Sequence, residues 1–474
     1  DAYERGLIMG SLQKELIVEQ EKAFVTEIEN VLPNYFFRKL LLYSVGWFNR
    51  SLDQSVPMEI RREIYGVSRS FSDDFNFVGP KYNRIINYHA AHDIGHMAQN
   101  MNLVACSALA RWDFKDGQNT MLLGRNFDFY FGDDFAENKI VQFVNPNNGY
   151  RFVSVTWGGF CGVVSGMNEH GLTITLNALP SEIPGSSSTP VSIIARLVLQ
   201  YAQTIQEAYD IVEKHDVFVS ESFTIVSAQD SLAAVIEKTP LATDIYYPPG
   251  KQLIVTNHFQ GELNKNSELN QNHIAESESE YRFQRLEELS LKNDSLCPET
   301  MVSILRDRVG LGGKSIGNGN PQTLNQLLAH HAVVFDPINR IAYISNAPYQ
   351  LGSFMAYDLA HMDDIDRVLI DSLVLPQDTF LSSEEYQDLK RYRTIRDEIN
   401  KRMKSDSNST LTDEYFSAFI ALNPDYFEAY KTVGDYYFEN GNIEEACQYY
   451  AIALKKEIPY KSYRQEMNDK MMEE

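Results

Sequence analysis

The chain has 474 residues, 43% hydrophobic and 12% aromatic, enough to bury a large core in about two or three domains. Forty-two Lys and Arg against 65 Asp and Glu give a formal charge of -23, which as a whole repels nucleic acid and anionic membrane surfaces. The four cysteines, Cys106, Cys161, Cys297 and Cys447, match neither a zinc spacing nor a disulfide framework, and no run approaches the roughly 20 apolar residues of a membrane-spanning helix.

The sequence opens at Asp1 without a methionine, which leads us to expect a removed upstream segment and a secreted, periplasmic or envelope-associated protein. Residues 1 to about 100 are expected to be mostly helical. There "GSLQKELIVEQEKAFVTEIENVLPNYFFRKLLLYSVGWF" carries apolar residues at three- and four-residue steps and breaks at Pro33. From Met101 the period changes to short β-branched or aromatic runs, "NLVACSALARW", "NTMLLGRNFDFYF", "ENKIVQFVN" and "RFVSVTWGGF". Turn-forming "KDGQ", "GDD" and "NPNNG" separate them, which predicts an antiparallel sheet. The strand and loop "GLTITLNALPSEIPGSSSTP" leads into one amphipathic helix, "VSIIARLVLQYAQTIQEAYDIVEKH". Strands at "SFTIVSAQ", "LAAVIEK" and "LIVTNHF", helices over about 278 to 308, and a closing hairpin "HHAVVFDPINRIAYISNAP" follow. Strands flanked by helices in this order point to a layered α+β domain.

Past about residue 361 the sequence becomes charged and helical, with a flexible polar break at "KSDSNST". Residues 423–457 resemble one tetratricopeptide unit, with Ala429, Gly434, Tyr437, Gly441, Ala446, Tyr450 and Ala453 at the expected offsets. A lone unit has no neighbour to cover its faces. A hairpin docked on the main body is therefore expected ahead of a peptide-binding groove, and a protein contact through 423–457 and a homo-oligomer stay open. The expected divisions are a helical N-terminal segment 1–105 packed on the core, a core 106–360, and a C-terminal helical region 361–474.

Cys106 sits near the start of the first strand. A hairpin centred on Gly117 sets Asp128 opposite Cys106, within reach of its thiol or amino group. Simple alternation then turns Arg125 to the other face, and a bulge at Gly124 would bring it back.

"CSALARWDFKDGQNTMLLGRNFDF" resembles the opening of the β-chain in N-terminal-nucleophile (Ntn) amidases of the acyltransferase and choloylglycine hydrolase group. In that group Cys-(Thr/Ser) is followed by Gly-Arg-Asn-x-Asp. Further matches come in order: "GMNEHGLTITLNALP", "IVTNHF" and "SEYRFQRL". The opening "YERGLIMGSLQKEL" and the late "VVFDPINRIAYISNAPYQLGSFMAYDL" are similar to the acyl-CoA:6-aminopenicillanate acyltransferase branch, peptidase class C45. The resemblance covers about residues 3 to 358 and implies a four-layer αββα sandwich, here with a C-terminal helical extension. It implies a chain that cuts itself between Ala105 and Cys106, and a Cys106 whose freed α-amine serves as base for its own thiol. The acyl group of a linear amide is then carried as a thioester on Cys106 and released to water or an amine. Asp128 orients the amine and thiol, Asn177 and Asn257 steady the oxyanion or the amine, and Arg125 and Arg282 frame the pocket by charge. The partner implied is a small-molecule N-acyl amide; no cofactor and no metal are expected.

Plainer readings stand beside these. Cys106 alone reads as core filling, Asn177 and Asn257 as strand-end residues bonding local backbone, and Arg282 as a surface ion-pair partner. Cys161 is expected to pack beneath the sheet. "HAAHDIGHM" sets His89, His92 and His96 on one helix face without a zinc-class carboxylate, and "GLGGKSIGNGN" lacks the glycine and strand of a phosphate loop and reads as flexible. A papain-like protease lacks its local signature here, whereas a catalytically inactive body acting as a scaffold through its helical tail is the competing function. Substrate-lining residues are expected from loops such as "SEIPGSSSTP".

Overall fold

The computed structural model describes residues 1–91, 93, 104–115, 118–129, 132, 138–182, 184–404 and 411–472. Alternation in "VACSALARWDF" and "NTMLLGRNFDF" produces the central hairpin, β1 (Val104–Lys115) and β2 (Gln118–Phe129). β1 also pairs with β10 (Gln252–Val255). On the other side β2 leads to β11 (His331–Asp336), β12 (Ile341–Ser345) and β13 (Phe354–Asp358), completing a six-stranded sheet in the order β10-β1-β2-β11-β12-β13. The second sheet runs in sequence order from β3 (Ile140–Val144), β4 (Phe152–Thr156), β5 (Ser165–Asn168) and β6 (Leu172–Ala178) to β7 (Glu221–Ser227), β8 (Leu232–Lys238) and β9 (Thr243–Tyr246). Every described pairing in both is antiparallel, so the protein is mixed α/β with two antiparallel sheets. The strands β5, β9 and β13 were not anticipated; all three are short, and β9 and β13 are only partly buried.

The sheets face each other across Ala108, Ala110, Trp112, Met121 and Leu123 on one side and Val153, Val155, Val226 and Val235 on the other. Each fully buried side chain of this kind contributes about 1.5–3 kcal/mol.

The N-terminal region is helical as expected: α1 (Ala2–Leu12), α2 (Lys14–Val31), α3 (Tyr35–Phe48), α4 (Leu52–Ser55), α5 (Met58–Ser68) and α6 (Lys81–His89), with the break at Pro33 between α2 and α3. The single helix expected over 191–215 is two, α7 (Val191–Tyr201) and α8 (Ile205–Lys214). Thr204 stops the first and caps the second: its hydroxyl accepts from the Glu207 N–H while the Glu207 carboxylate returns to the Thr204 N–H. These two helices and the N-terminal ones cover the outer face of the second sheet, Ile60, Ile64, Ile194 and Val198 joining Ile174, Leu176, Phe223 and Ile225 in one cluster. Glu63, buried on α5, pairs with Arg5 at 2.6 Å and with Arg196 of α7 at 3.2 Å, tying the N-terminal segment to that layer.

An unanticipated α9 (Glu268–Glu276) precedes α10 (Ser279–Lys292) and α11 (Pro298–Leu305). The last two cover the outer face of the first sheet, Leu286, Met301 and Leu305 meeting Leu109 and Leu122. Beyond α12 (Ile365–Val368) come α13 (Glu384–Met403), α14 (Asp413–Ala421), α15 (Phe427–Glu439), α16 (Ile443–Ala453) and α17 (Lys461–Met471). Residues 405–410 of the expected polar break lie outside the described residues. The C-terminal helices form a cluster of their own, in which Tyr392, Phe416, Phe427 and Tyr450 pack with Leu327 and Leu351 of the main body. The segment 310–320, expected to be flexible, is instead their seat. Asn318 and Asn423 exchange backbone-to-side-chain hydrogen bonds of 3.1 and 2.9 Å, and the buried Asn320 donates to the Glu457 carbonyl at 3.2 Å.

In the hairpin α15–α16, a Cβ at Gly434 would lie 2.6 Å from the Tyr450 ring. Gly434→Val is therefore expected to cost about 1–3 kcal/mol of stability. An unchanged denaturation midpoint would contradict that packing.

Candidate active site

The β1–β2 register corrects the expected pairing. Cys106 faces Phe127, and Asp128 faces Ala105. Pairing is continuous from Val104↔Phe129 to Lys115↔Gln118 with no bulge at Gly124, so two residues separate the strand ends and the hairpin centre falls between 116 and 117 instead of on Gly117. Those two turn residues lie outside the described residues. The half-residue change moves every pairing by one position and redistributes the faces. Cys106, Ala108, Arg125 and Phe127 share the face toward the second sheet; Ala105, Ser107, Asn126 and Asp128 share the face toward α10. Arg125, not Asp128, is thus the side chain beside the sulfur.

Arg125 is fully buried, and its Nη2 donates to Cys106 Sγ at 3.3 Å and to the Leu176 carbonyl. Its Nη1 donates to Ser165 Oγ at 2.9 Å, and that hydroxyl is hydrogen-bonded to His331 Nε2 at 2.9 Å. The guanidinium carbon lies 4.2 Å from the centre of the Phe127 ring, which fixes its plane. Burial pushes the Cys106 thiol up to about 11; Arg125 and Arg282 oppose the shift, while Asp128 and Glu221 add to it. The sulfur is enclosed but not in hydrocarbon alone. Among the described residues a histidine reaches it only through Ser165 and Arg125, which is not the direct thiol–imidazole contact of a papain-like site.

The other face is organised around the main chain of Cys106. Its N–H donates to Asn257 Oδ1 at 3.0 Å, and the same oxygen accepts from Arg282 Nη2 at 2.7 Å. Arg282 Nη1 also donates to the Cys106 carbonyl at 2.6 Å and to Ser107 Oγ at 2.8 Å, while Glu278 accepts from Nη2 at 3.0 Å. Arg282 has no exposure, which overturns the surface ion-pair reading. Asn257, just past β10, is held by its own Nδ2 on the Ala178 carbonyl at 2.9 Å and by its N–H on Ser279 Oγ at 2.8 Å. Asn177 on β6 sends Nδ2 to the Thr256 and Val255 carbonyls at 3.1 and 3.3 Å, so both asparagines bond distant backbone, not local turns.

Asp128 is the group left over. It has no exposure, and neither carboxylate oxygen has a hydrogen-bond partner among the described residues. Burial raises its pKa to about 7 against the pull of Arg282 and Arg125, with Glu278 adding to the rise. An unpaired buried carboxyl is costly, and one opposite Ala105 borders the Ala105–Cys106 peptide bond.

Ser165, His331, Ser107 and Glu221 belong to this network and were missed. Glu221, on β7, is held well above the carboxylate range by burial and by Asp93, Arg125 opposing. Ser107 is the serine of the Cys-(Thr/Ser) pair, whereas no local motif marks the other three, which strand pairing alone brings in. The candidate metal residues do not form a site among the described ones. His89 Nε2 accepts from the Cys161 N–H at 2.8 Å, its Nδ1 bonds the Ile85 carbonyl at 2.7 Å, and burial lowers its pKa to about 4. His92 and His96 lie outside the described residues. Cys161 is buried in the cluster beneath the second sheet.

Beside the strand end, a small pocket is lined by residues including Ile17, Phe24, Phe71, Phe129, Trp157 and Phe160. In the loop 181–190, Ser187 donates to the Phe48 carbonyl and Thr189 to that of Ser55, which ties these residues to the N-terminal region.

Residues 115–347 match the family described as acyl-coenzyme A:6-aminopenicillanic acid acyl-transferase, the branch that the motifs resemble. The matched span contains Arg125, Asp128, Asn177, Asn257 and Arg282 and begins downstream of Cys106. A protein from Archaeoglobus fulgidus, described as uncharacterized, is 27% identical over 227 residues, 44% of this chain and 37% of its own length, so the match spans little more than a third of that relative. Among solved structures, a Caenorhabditis elegans ortholog of N-acylethanolamine-hydrolyzing acid amidase shares 17% identity with a TM-score of 0.35, covering 49% of this chain and 93% of its own. A mutant conjugated bile acid hydrolase from Clostridium perfringens shares 16% identity with a TM-score of 0.36, covering 54% and 94%.

In a Cys106→Ala background, Asp128→Asn is expected to stabilise the chain. The folded-state pKa of Asp128 is raised, so the carboxyl costs nothing extra below about pH 4, where it is protonated both folded and unfolded. Its penalty grows as pH rises toward about 7 and is constant above. The stabilisation by Asn should therefore increase across that window to a few kcal/mol, on the order of one per pH unit. A pH-independent difference in unfolding free energy would contradict the orphaned carboxyl.

Proposed function

We propose that the protein is a self-processing cysteine Ntn hydrolase or acyltransferase acting on a linear amide. Two facing antiparallel sheets with helices on their outer sides support this reading, which calls for an αββα sandwich. The observation that carries it is the convergence on Cys106: a guanidinium on its sulfur, an amide oxygen on its main-chain nitrogen, and an unpaired carboxyl at the preceding residue.

In maturation, Sγ bonds to the Ala105 carbonyl carbon, the bond from that carbon to the Cys106 nitrogen breaks, and the thiol proton passes to the departing nitrogen. Water hydrolyses the thioester, leaving a carboxylate on Ala105 and restoring the thiol. The freed amine has an ordinary pKa of about 7.7–8.0 and takes the thiol proton near neutral pH. Asp128 then gains the partner it lacks, an ammonium group. Asn257, whose Oδ1 already accepts from that nitrogen and whose Nδ2 donates to the Ala178 carbonyl, is better placed to hold the amine than to donate to an oxyanion. Arg125 stabilises the thiolate, and Arg282 fixes Asn257 and the Cys106 carbonyl. For an oxyanion role, Asn177 must release one of the carbonyls that now share its Nδ2. The thiolate attacks the amide carbonyl of the substrate, the amine departs with a proton, and water or a second amine resolves the acyl-enzyme.

We read residues 423–457 as a docked hairpin, since Ala429, Val433, Ala446 and Tyr450 are consumed in packing rather than facing a groove.

Mass spectrometry of the denatured protein should give fragments of 105 residues and, from 474 less 105, 369 residues. Cys106→Ala should remain one chain and turn over no member of an N-acyl amide panel. Asp128→Asn should fold and lose on the order of a hundredfold in turnover. Cutting and turnover that survive Cys106→Ala would place the nucleophile elsewhere.

A further inference from the structure

The helix α3 contains no buried residue. Phe36, Leu40, Tyr43 and Trp47, spaced four, three and four apart, form one outward stripe at 69%, 52%, 75% and 63% exposure. Phe37 and Leu41 on one flank and Tyr35 on the other are also exposed, with Lys39 and Ser44 exposed among them. The opposite side, Arg38, Leu42, Val45 and Phe48, is the half-buried one. It is anchored by the Arg38–Glu29 ion pair at 3.2 Å, by Phe48 against Phe218 with ring centres 5.7 Å apart, and by Asn49, just past the helix, on Asn87 at 3.1 Å. The helix is thus fastened to the body with its apolar side outward.

We infer that α3 is a membrane-surface helix, and that its occupant is the interface of a lipid bilayer bearing anionic headgroups. Three observations select lipid. The exposed apolar side chains spread beyond a single stripe of roughly 100° and have the exposed Lys39 and Ser44 among them, a mixture that the interface of lipid and water accommodates. Between Pro33 and Arg50 the chain has Arg38, Lys39 and Arg50 but no Asp or Glu, a local cationic stretch on a chain of formal charge -23. Lys39 lies 4.9 Å from the Tyr35 ring centre and Arg50 4.3 Å from that of Trp47, pairing cations with the aromatic types that settle at headgroup depth. With 14 residues the helix is about 21 Å long, short of the roughly 30 Å hydrocarbon core, so it lies in the interface plane. Among the described residues no helix is long and apolar enough to cross a membrane.

The inference is independent of the reading of Cys106, and the chain carries its own probe. Of its 3 tryptophans, Trp112 and Trp157 are 5% and 6% exposed, whereas Trp47 is in the stripe. Equimolar phosphatidylcholine–phosphatidylglycerol vesicles added to the full chain should shift tryptophan emission to the blue and protect it from acrylamide. The protein should float with the vesicles. Leu40→Asp should weaken binding by on the order of tenfold, with the circular dichroism spectrum unchanged, and Trp47→Phe should keep flotation while losing the spectral shift. Failure of the wild-type chain to float or shift would overturn the proposal. So would a dimer in vesicle-free solution that Trp47→Asp converts to monomer, because α3 would then be covered by a second copy.

Discussion

The register of one hairpin controls the chemistry available to this chain. With Cys106 opposite Phe127 and Asp128 opposite Ala105, the sulfur and the carboxyl lie on opposite faces of β1. A directly opposed pair would have let the carboxylate repel a forming thiolate at close range. The observed register gives the thiolate a cation, Arg125, and leaves the carboxyl where the main-chain nitrogen of Cys106 is the group it can serve. Asn257 Oδ1 and Arg282 hold that nitrogen and the following carbonyl, which braces the strand end.

The electrostatics follow from this division. Arg125 and Arg282 are both without exposure, and each is compensated chiefly by neutral acceptors: hydroxyls, main-chain carbonyls, a thiol and an amide, with Glu278 the one carboxylate bonded to either among the described residues. Asp128 faces two cations yet is pushed up to about 7, because burial outweighs their attraction. The Asp128 carboxyl raised to about 7 and the Cys106 thiol raised to about 11 are shifts of the kind that cluster at functional sites.

Much of this was legible in the residues. The 3.6-residue period marked the N-terminal helices, alternation marked the long strands, and ordered motifs named Cys106, Arg125, Asp128, Asn177, Asn257 and Arg282, which strand pairing and α10 gather around one strand end. Register was not legible, because an Asp-Gly turn centred on a residue or between two residues leaves the same sequence pattern. The break at Thr204 was hidden by apolar spacing that runs straight through it. Ser165 and His331 carry no local signal; they meet Arg125 only because β2, β5 and β11 come together in three dimensions. The short partly buried strands β9 and β13 have too few alternating positions to stand out.

The central claim, that one residue supplies both nucleophile and base through a liberated backbone amine, is tested most directly by a reagent that condenses only with an N-terminal 1,2-aminothiol, such as a cyanobenzothiazole, applied to the denatured mature protein. The account predicts a single labelled fragment whose sequence begins at Cys106. An active preparation whose chain is unlabelled and still continuous through Ala105 and Cys106 would contradict it.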